Sequence, residues 1–175
     1  MKIIPIFAPQ LYTFHYDDGK QNELQRLLEL WNNTAYLYVF VKNNKKDIPQ
    51  KKTLDEMVLQ LQEDANKIED NFYEISINSE KRYEEFFKPL NNHEYRIDIQ
   101  LSKQKGRKNY LRLFAIKIDK NCFVITGGAI KFHHLNNLRP HTKIEMQKMD
   151  KCRDYLKENG VLDSESFHEF LIEEK

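Results

Sequence analysis

Cysteine is scarce: Cys122 and Cys152 are the only two in 175 residues. Two are too few for a disulfide framework, and a reducing cytoplasm is the expected setting. Glycine is nearly as scarce at five, so the adjacent pair Gly127-Gly128 stands out. No apolar run approaches the roughly 20 residues of a membrane-crossing helix, which excludes a membrane span. The opening MKIIPIFAPQLYTF carries one lysine, is interrupted by Pro5 and Pro9, and offers no small-residue cleavage site, so no signal peptide is expected. Net charge is almost missing too, at +1, but its distribution is uneven. Residues 91–157 hold 15 Lys/Arg against 6 Asp/Glu, a net of +9 that leaves −8 for the remainder. A basic segment within a neutral chain is the footprint of a polyanion partner, or else of oppositely charged solvated faces.

What is present reads as one folded domain over residues 1–175, since 40% of residues are hydrophobic, 12% aromatic and 31% charged. Leu11 to Tyr16 alternate and stop at the Asp17-Asp18-Gly19 turn, which predicts a strand. NELQRLLELWNNTAYLYVF places Leu24, Leu28, Trp31, Ala35 and Tyr38 at helical spacing, with a break at Asn32-Asn33. Thr53 and Glu56 form a capping-box pattern ahead of Leu54, Val58, Leu61, Ala65, Ile68 and Phe72, the spacing of a helix packed along its length. A short helix is expected in SEKRYEEFFKPL, ending near Pro89.

From Glu94 the period changes. YRIDIQL alternates, SKQKGRKN supplies turn residues, and YLRLFAIKI and FVITGGAI follow around a tight Asp119-Lys120-Asn121 turn. Thr142 and Glu145 predict the start of a further helix closed by Asn159-Gly160, and Asp163 or Ser164 starts a last one. The expected fold class is therefore α+β: an N-terminal strand and helices, a three-stranded antiparallel meander, and two C-terminal helices. Residues 1–90 form the helical part and residues 91–175 the basic sheet-plus-helix part.

Gly127-Gly128 does not fit a phosphate loop, because GGAIK lacks the GxxxxGK[ST] spacing. A β-bulge or a close approach of another backbone accounts for it. Lys131, His133, His134, Arg139 and His141 follow within eleven residues. RNA is cut without a metal when a base deprotonates the 2′-hydroxyl, cations stabilise the phosphorane and an acid protonates the leaving 5′-oxygen. Histidine and lysine or arginine supply that inventory, although a solvated basic loop has the same composition. His141 and Glu145 lie one helical turn apart, but the set matches no standard zinc spacing and no thiol lies close. Neither metal nor cofactor is expected. A second basic cluster, Lys103, Lys105, Arg107, Lys108 and Arg112 beside Tyr110, suits backbone binding and base stacking, or an exposed hairpin tip. No GxSxG, HExxH or Rossmann fingerprint occurs.

The stretch YLRLFAIKIDKNCFVITGGAIK, followed by a helix bearing Lys and Arg, resembles the RelE/ParE-like toxins of bacterial toxin–antitoxin systems, the HigB-like branch in particular. The matching positions are Arg112, the Asp119–Asn121 turn, Lys131, and Arg153 with Tyr155, within residues 93–157. The chain departs from that pattern at Thr126–Ala129, where the family commonly has a bulky residue, and in its helical material between Trp31 and Pro89. The resemblance implies a metal-independent endoribonuclease acting on mRNA, free or on the ribosome. It also implies a cognate antitoxin with a helix-turn-helix domain. Lys131, His133, His134, Arg112 and Arg153 would then be catalytic, with Lys103, Lys105, Arg107, Lys108, Tyr110, Arg139 and His141 binding RNA. A non-catalytic nucleic-acid-binding or protein-interaction domain on the same fold is the alternative.

Overall fold

A computed structural model describes residues 1–49, 51–90, 100–132 and 140–175. Its strands are β1 (Lys2–Phe7), β2 (Leu11–His15), β3 (Phe87–Pro89), β4 (Lys103–Lys108), β5 (Leu111–Asp119) and β6 (Cys122–Ile130). Its helices are α1 (Glu23–Asn32), α2 (Thr34–Asn43), α3 (Leu54–Ile77), α4 (Pro140–Glu158) and α5 (Ser164–Glu173). The expected α+β class holds, as one mixed sheet of order β1-β2-β6-β5-β4-β3. Among the described strands only β2 and β6 run parallel, with Leu11 opposite Phe123 and Thr13 opposite Ile125. Among the described residues no helix is long and apolar enough to cross a membrane.

Helices cover both faces of the sheet. Leu111, Leu113, Ala115, Phe123 and Ile125 point to α1, α2 and α3, where they meet Leu27, Trp31, Leu61 and Phe72. Phe114, Ile116 and Val124 point the other way and meet Met149, Cys152 and Leu156 of α4 and Phe167 of α5. Burial on both faces is why residues 113–116 of β5 and 122–125 of β6 read as continuous apolar stretches instead of alternating ones. Cys152 lies on the apolar side of α4 with Met149 and Leu156, all three fully buried.

The helix boundaries follow local chemistry. Asn22 caps α1 by accepting from the Gln25 backbone N–H, and Asn33 does the same for α2 from Tyr36. The capping box of Thr53 and Glu56 is formed. Asp163 caps α5, and Gly160, at φ 75°, closes α4. Helix α4 begins at Pro140, before the expected Thr142 cap, because proline's fixed φ and missing N–H suit a helix's first turn.

Other expectations are corrected. SKQKGRKN does not form a turn: Lys103 to Lys108 make β4, and the turn falls at Asn109, at φ 50°. Gly106 permits that strand, since a Cβ there would lie 2.0 Å from the Phe86 ring. Most of the expected strand YRIDIQL lies outside the described residues. The segment before Pro89 is a single 3₁₀ turn, Tyr83–Glu85, followed by β3 instead of a helix. The edge strand β1 was not expected at all. Leu24 and Trp31 are buried as expected, whereas Ala35 is exposed, and Leu27, Leu37 and Val41 complete the buried side of the first two helices.

Gly127-Gly128 lies inside β6 and does not end it. The register slips there: Phe114 faces Gly127 and Ala115 faces Ile125, which leaves Thr126 as the extra residue of a bulge.

Candidate anion-binding site

The alternation of β4 sends Lys103, Lys105 and Arg107 to the α4 face of the sheet. Its register sets Lys105 opposite Phe114 and Arg107 opposite Arg112. Arg112 in turn lies opposite Ala129 of β6. Beyond the end of β6, the Lys131 backbone N–H donates to the Tyr110 carbonyl at 2.7 Å, which ties Lys131 to the start of β5. Lys105, Arg112 and Lys131 thus line one cleft of about 210 Å³, walled by Leu90, Phe114 and Met146 and bordered by Thr142 of α4.

Arg112 is only 5% exposed. Its Nη1 donates to the carbonyls of Asn109 at 2.6 Å and Leu111 at 3.0 Å, and Arg107 Nε donates to the same Asn109 carbonyl at 3.2 Å. Asn109 is itself fixed by its side-chain amide, which donates to both carboxylate oxygens of the buried Asp64 on α3. Among the described residues no carboxylate pairs with Lys105, Arg107 or Arg112.

The electrostatic consequence is consistent around the cleft. Burial, with Arg107 nearby, brings the Arg112 guanidinium down to about 10. Burial and the charges of Arg112 and Arg107 lower Lys105. Burial and the charges of Lys105, Arg112 and Arg107 lower Lys131. Each cation is destabilised by losing water and by its neighbours, and an anion entering the cleft would relieve Lys105 and Arg112 together.

The remaining sequence-derived candidates fall elsewhere. Lys103 pairs with Asp150 of α4, which also lies 3.9 Å from Arg153, so these two cations gather around one carboxylate and neither lines the cleft. Tyr110 packs its ring on Phe132 with centroids 5.5 Å apart. Lys108 alternates to the opposite face, the one covered by α1, α2 and α3. His133, His134 and Arg139 lie outside the described residues, and His141 falls in the first turn of α4.

A second polar group escaped sequence reasoning. Glu23, 3% exposed, receives Lys148 Nζ and Arg26 Nη2, each at 2.7 Å. Glu145 lies against the same Lys148, with Oε2 at 3.3 Å from Nζ. Tyr16 donates to the Thr126 carbonyl, meets Cys152 Sγ at 3.2 Å, and carries Lys148 Nζ 5.0 Å from its ring centroid. Burial raises Glu145, while hydrogen bonds from Arg26 and Lys148 hold Glu23 low despite its burial. Burial also pushes the Cys152 thiol up to about 12, the opposite direction from an activated thiolate. Within α1 and within α4 the pairs Glu23–Arg26 and Glu145–Lys148 have i,i+3 spacing, but nothing in the sequence joins the two helices to Tyr16 and Thr126. Glu145 stood out only for a helix cap it does not make and for its place one turn from His141.

Compared with protein-family models, with curated proteins and with solved structures, the chain gives no match.

Proposed function

We propose that the protein grips the phosphodiester backbone of RNA in the basic cleft and cuts it without a metal. This is the chemistry of a RelE/HigB-like toxin, held in check by a cognate antitoxin. The observation that carries the reading is the convergence of Lys105, Arg112 and Lys131 on one cleft, with Arg107 directly opposite Arg112. Like charges placed opposite each other in a sheet destabilise it, so an anionic ligand accounts for their arrangement better than folding does. In the cutting step a base takes the 2′-hydroxyl proton and the oxygen attacks phosphorus. The cations hold the phosphorane's charge, and an acid protonates the departing 5′-oxygen. Arg112 and Lys105 suit the electrostatic role. Lys131, lowered by burial and its cationic neighbours, transfers a proton near neutral pH more readily than an ordinary lysine. His133 and His134 follow it in sequence and offer the complementary acid and base.

One observation favours the alternative of RNA binding without cleavage. Among the described residues, the cleft presents no imidazole or carboxylate for the second proton transfer. Controlled expression in a bacterial host, with growth followed and RNA 5′ ends mapped, separates the two. Growth arrest with new 5′ ends, both lost in Lys131→Ala, is the expected result. Normal growth with an unchanged map, together with salt-sensitive RNA binding, would leave the binding role alone.

A further inference from the structure

On the opposite face of the sheet from the basic cleft, past the end of β6, lies a run of half-buried aromatic rings. Tyr36 and Phe40 stand one turn apart on α2, with centroids 6.2 Å apart. Phe40 lies 5.9 Å from Phe132, and Phe132 lies 5.5 Å from Tyr110. All four are partly open to solvent. The run connects directly to the cations: Phe132 follows Lys131, and the Tyr110 carbonyl accepts the Lys131 N–H at 2.7 Å. Residues 131 and 132 alternate, so the ammonium serves the α4 face and the ring serves the α2 face, on either side of the end of the sheet.

We propose that Tyr110, Phe132, Phe40 and Tyr36 form a base-stacking strip that continues the basic cleft around the end of the sheet, so that the ligand is a single-stranded nucleic acid with unpaired bases. This deepens the RNA reading and rests on it. The packing role of the rings does not explain their type. Aliphatic side chains would cover α2 and the β6 terminus equally well, whereas aromatic rings are the side chains that stack a base. A duplex keeps its bases paired inside and cannot present them to the strip, while a single strand can splay them onto rings as its phosphates follow the cations. The strip adds affinity without reading sequence, because every base has a π-face. It also meets the geometric need of a cleaving enzyme, since splaying adjacent bases exposes the linkage between them to Lys131 and Arg112.

The test is fluorescence anisotropy on the full chain with three labelled probes of equal length: a 2′-O-methyl oligouridine, its abasic counterpart and a duplex. The 2′-O-methyl group blocks cutting, so binding is read alone. The oligouridine should bind more tightly than the abasic strand and the duplex. Phe132→Leu and Phe40→Leu should each weaken the oligouridine roughly five- to 150-fold, the range of one lost stacking contact, and leave abasic binding unchanged. Unchanged abasic binding also shows that each variant is folded, and Phe132→Tyr should restore the affinity. Equal binding of oligouridine and abasic strand, or leucine variants that bind oligouridine like the parent, would overturn the strip. Oligouridine that outbinds the abasic strand with no salt dependence would support the strip and sink the basic-cleft reading instead.

Discussion

Arg107 and Arg112 stand directly opposite each other on adjacent antiparallel strands and donate to one acceptor, the Asn109 carbonyl, at 3.2 and 2.6 Å. Two guanidinium groups are thereby brought together by a backbone oxygen and not by a carboxylate. The oxygen belongs to a turn residue at φ 50° whose side chain is anchored on the buried Asp64. The scaffold fixes two like charges around one backbone acceptor, the preorganisation that the proposed anion site calls for.

Arg107 is the exposed member of the pair, so its loss should separate stability from binding. Arg107→Thr removes a like-charge cross-strand contact and inserts a β-branched residue suited to a strand. Stability should rise by about 0.2–1 kcal/mol. The same variant should bind RNA more weakly, with the slope of log affinity against log salt reduced by about 0.7, as for one lost phosphate contact on a single strand. Urea unfolding and salt-dependent anisotropy read the two effects. A variant that lost stability as well would show that the arginine pair serves the fold.

Binding should also take up protons at alkaline pH. Lys105, Lys131 and Arg112 are lowered in the free protein, Arg112 to about 10, and a bound phosphodiester raises them again. Affinity should fall as pH climbs toward about 10, where Arg112 loses its proton. For the free fold the sign is the reverse. The unfolded chain holds these protons more tightly, so unfolding free energy gains as pH rises through the same window. Calorimetry of oligonucleotide binding at pH 9 in two buffers of different ionisation enthalpy measures the uptake. Identical heats in both would remove these cations from the interface.

The parts of this architecture that were legible in the sequence are those set by neighbours along the chain. The α3 stripe from Leu54 to Phe72, its Thr53–Glu56 cap, the Asn33 break and the Lys120-Asn121 turn each depend on residues within a few positions. Strand β4 was not legible, because its composition is that of a turn. KQKGRK becomes a strand through partners distant in sequence, Phe86 filling the space over Gly106 and β5 supplying the ladder. The candidate site was half legible. Lys105, Arg107, Arg112 and Lys131 were singled out by type, but their separation from Lys103 and Arg153 follows from Asp150 on α4, which no spacing reveals. Glu145 and Lys148 are neighbours on one helix, but their meeting with Glu23 was invisible for the same reason: it is made only when α1 and α4 converge on β6.

The two adjacent glycines should differ in tolerance. Neither has a positive φ, so space and not backbone freedom decides. A Cβ on Gly128 would meet the Arg112 carbonyl at 2.6 Å, with Leu27 and Trp31 both at 3.0 Å, and backbone cannot yield cheaply. A Cβ on Gly127 would meet Glu145 Oε2 at 1.9 Å, the tip of a side chain that can move once it leaves Lys148. Gly128→Ala should therefore cost about 1–3 kcal/mol or more, as overpacking does, and Gly127→Ala less. In a Glu145→Ala background Gly127→Ala should become close to neutral while Gly128→Ala keeps its full cost. Denaturant midpoints of the five variants form the cycle, and equal costs for Gly127→Ala in both backgrounds would refute the contact.

Lys148 faces two buried carboxylates, Glu23 at 2.7 Å and Glu145 at 3.3 Å, and one ammonium cannot neutralise both. Arg26 from α1 completes the charge around Glu23, and Tyr16 and Cys152 add only high-lying neutral groups. Burial and the nearby Glu23 therefore raise Glu145 above 4.5, and its Oε2 accepts no hydrogen bond among the described residues. A carboxyl raised on folding contributes stability that is fully present below 4.5 and lost as pH rises through its folded value. Glu23, lowered on folding, does the opposite: its contribution is present above 4.5 and lost as the solution is acidified. Glu145→Gln keeps the shape and removes only the ionisation. It should raise the melting temperature at pH 7 by about 2–4 °C, equivalent to about 1 kcal/mol for a chain of this size. The difference should vanish toward pH 4, where Glu145 is already protonated. Melting curves across that range decide it: a glutamine variant less stable at pH 7 would mean that the Glu145–Lys148 attraction outweighs the cost of burying the second carboxylate.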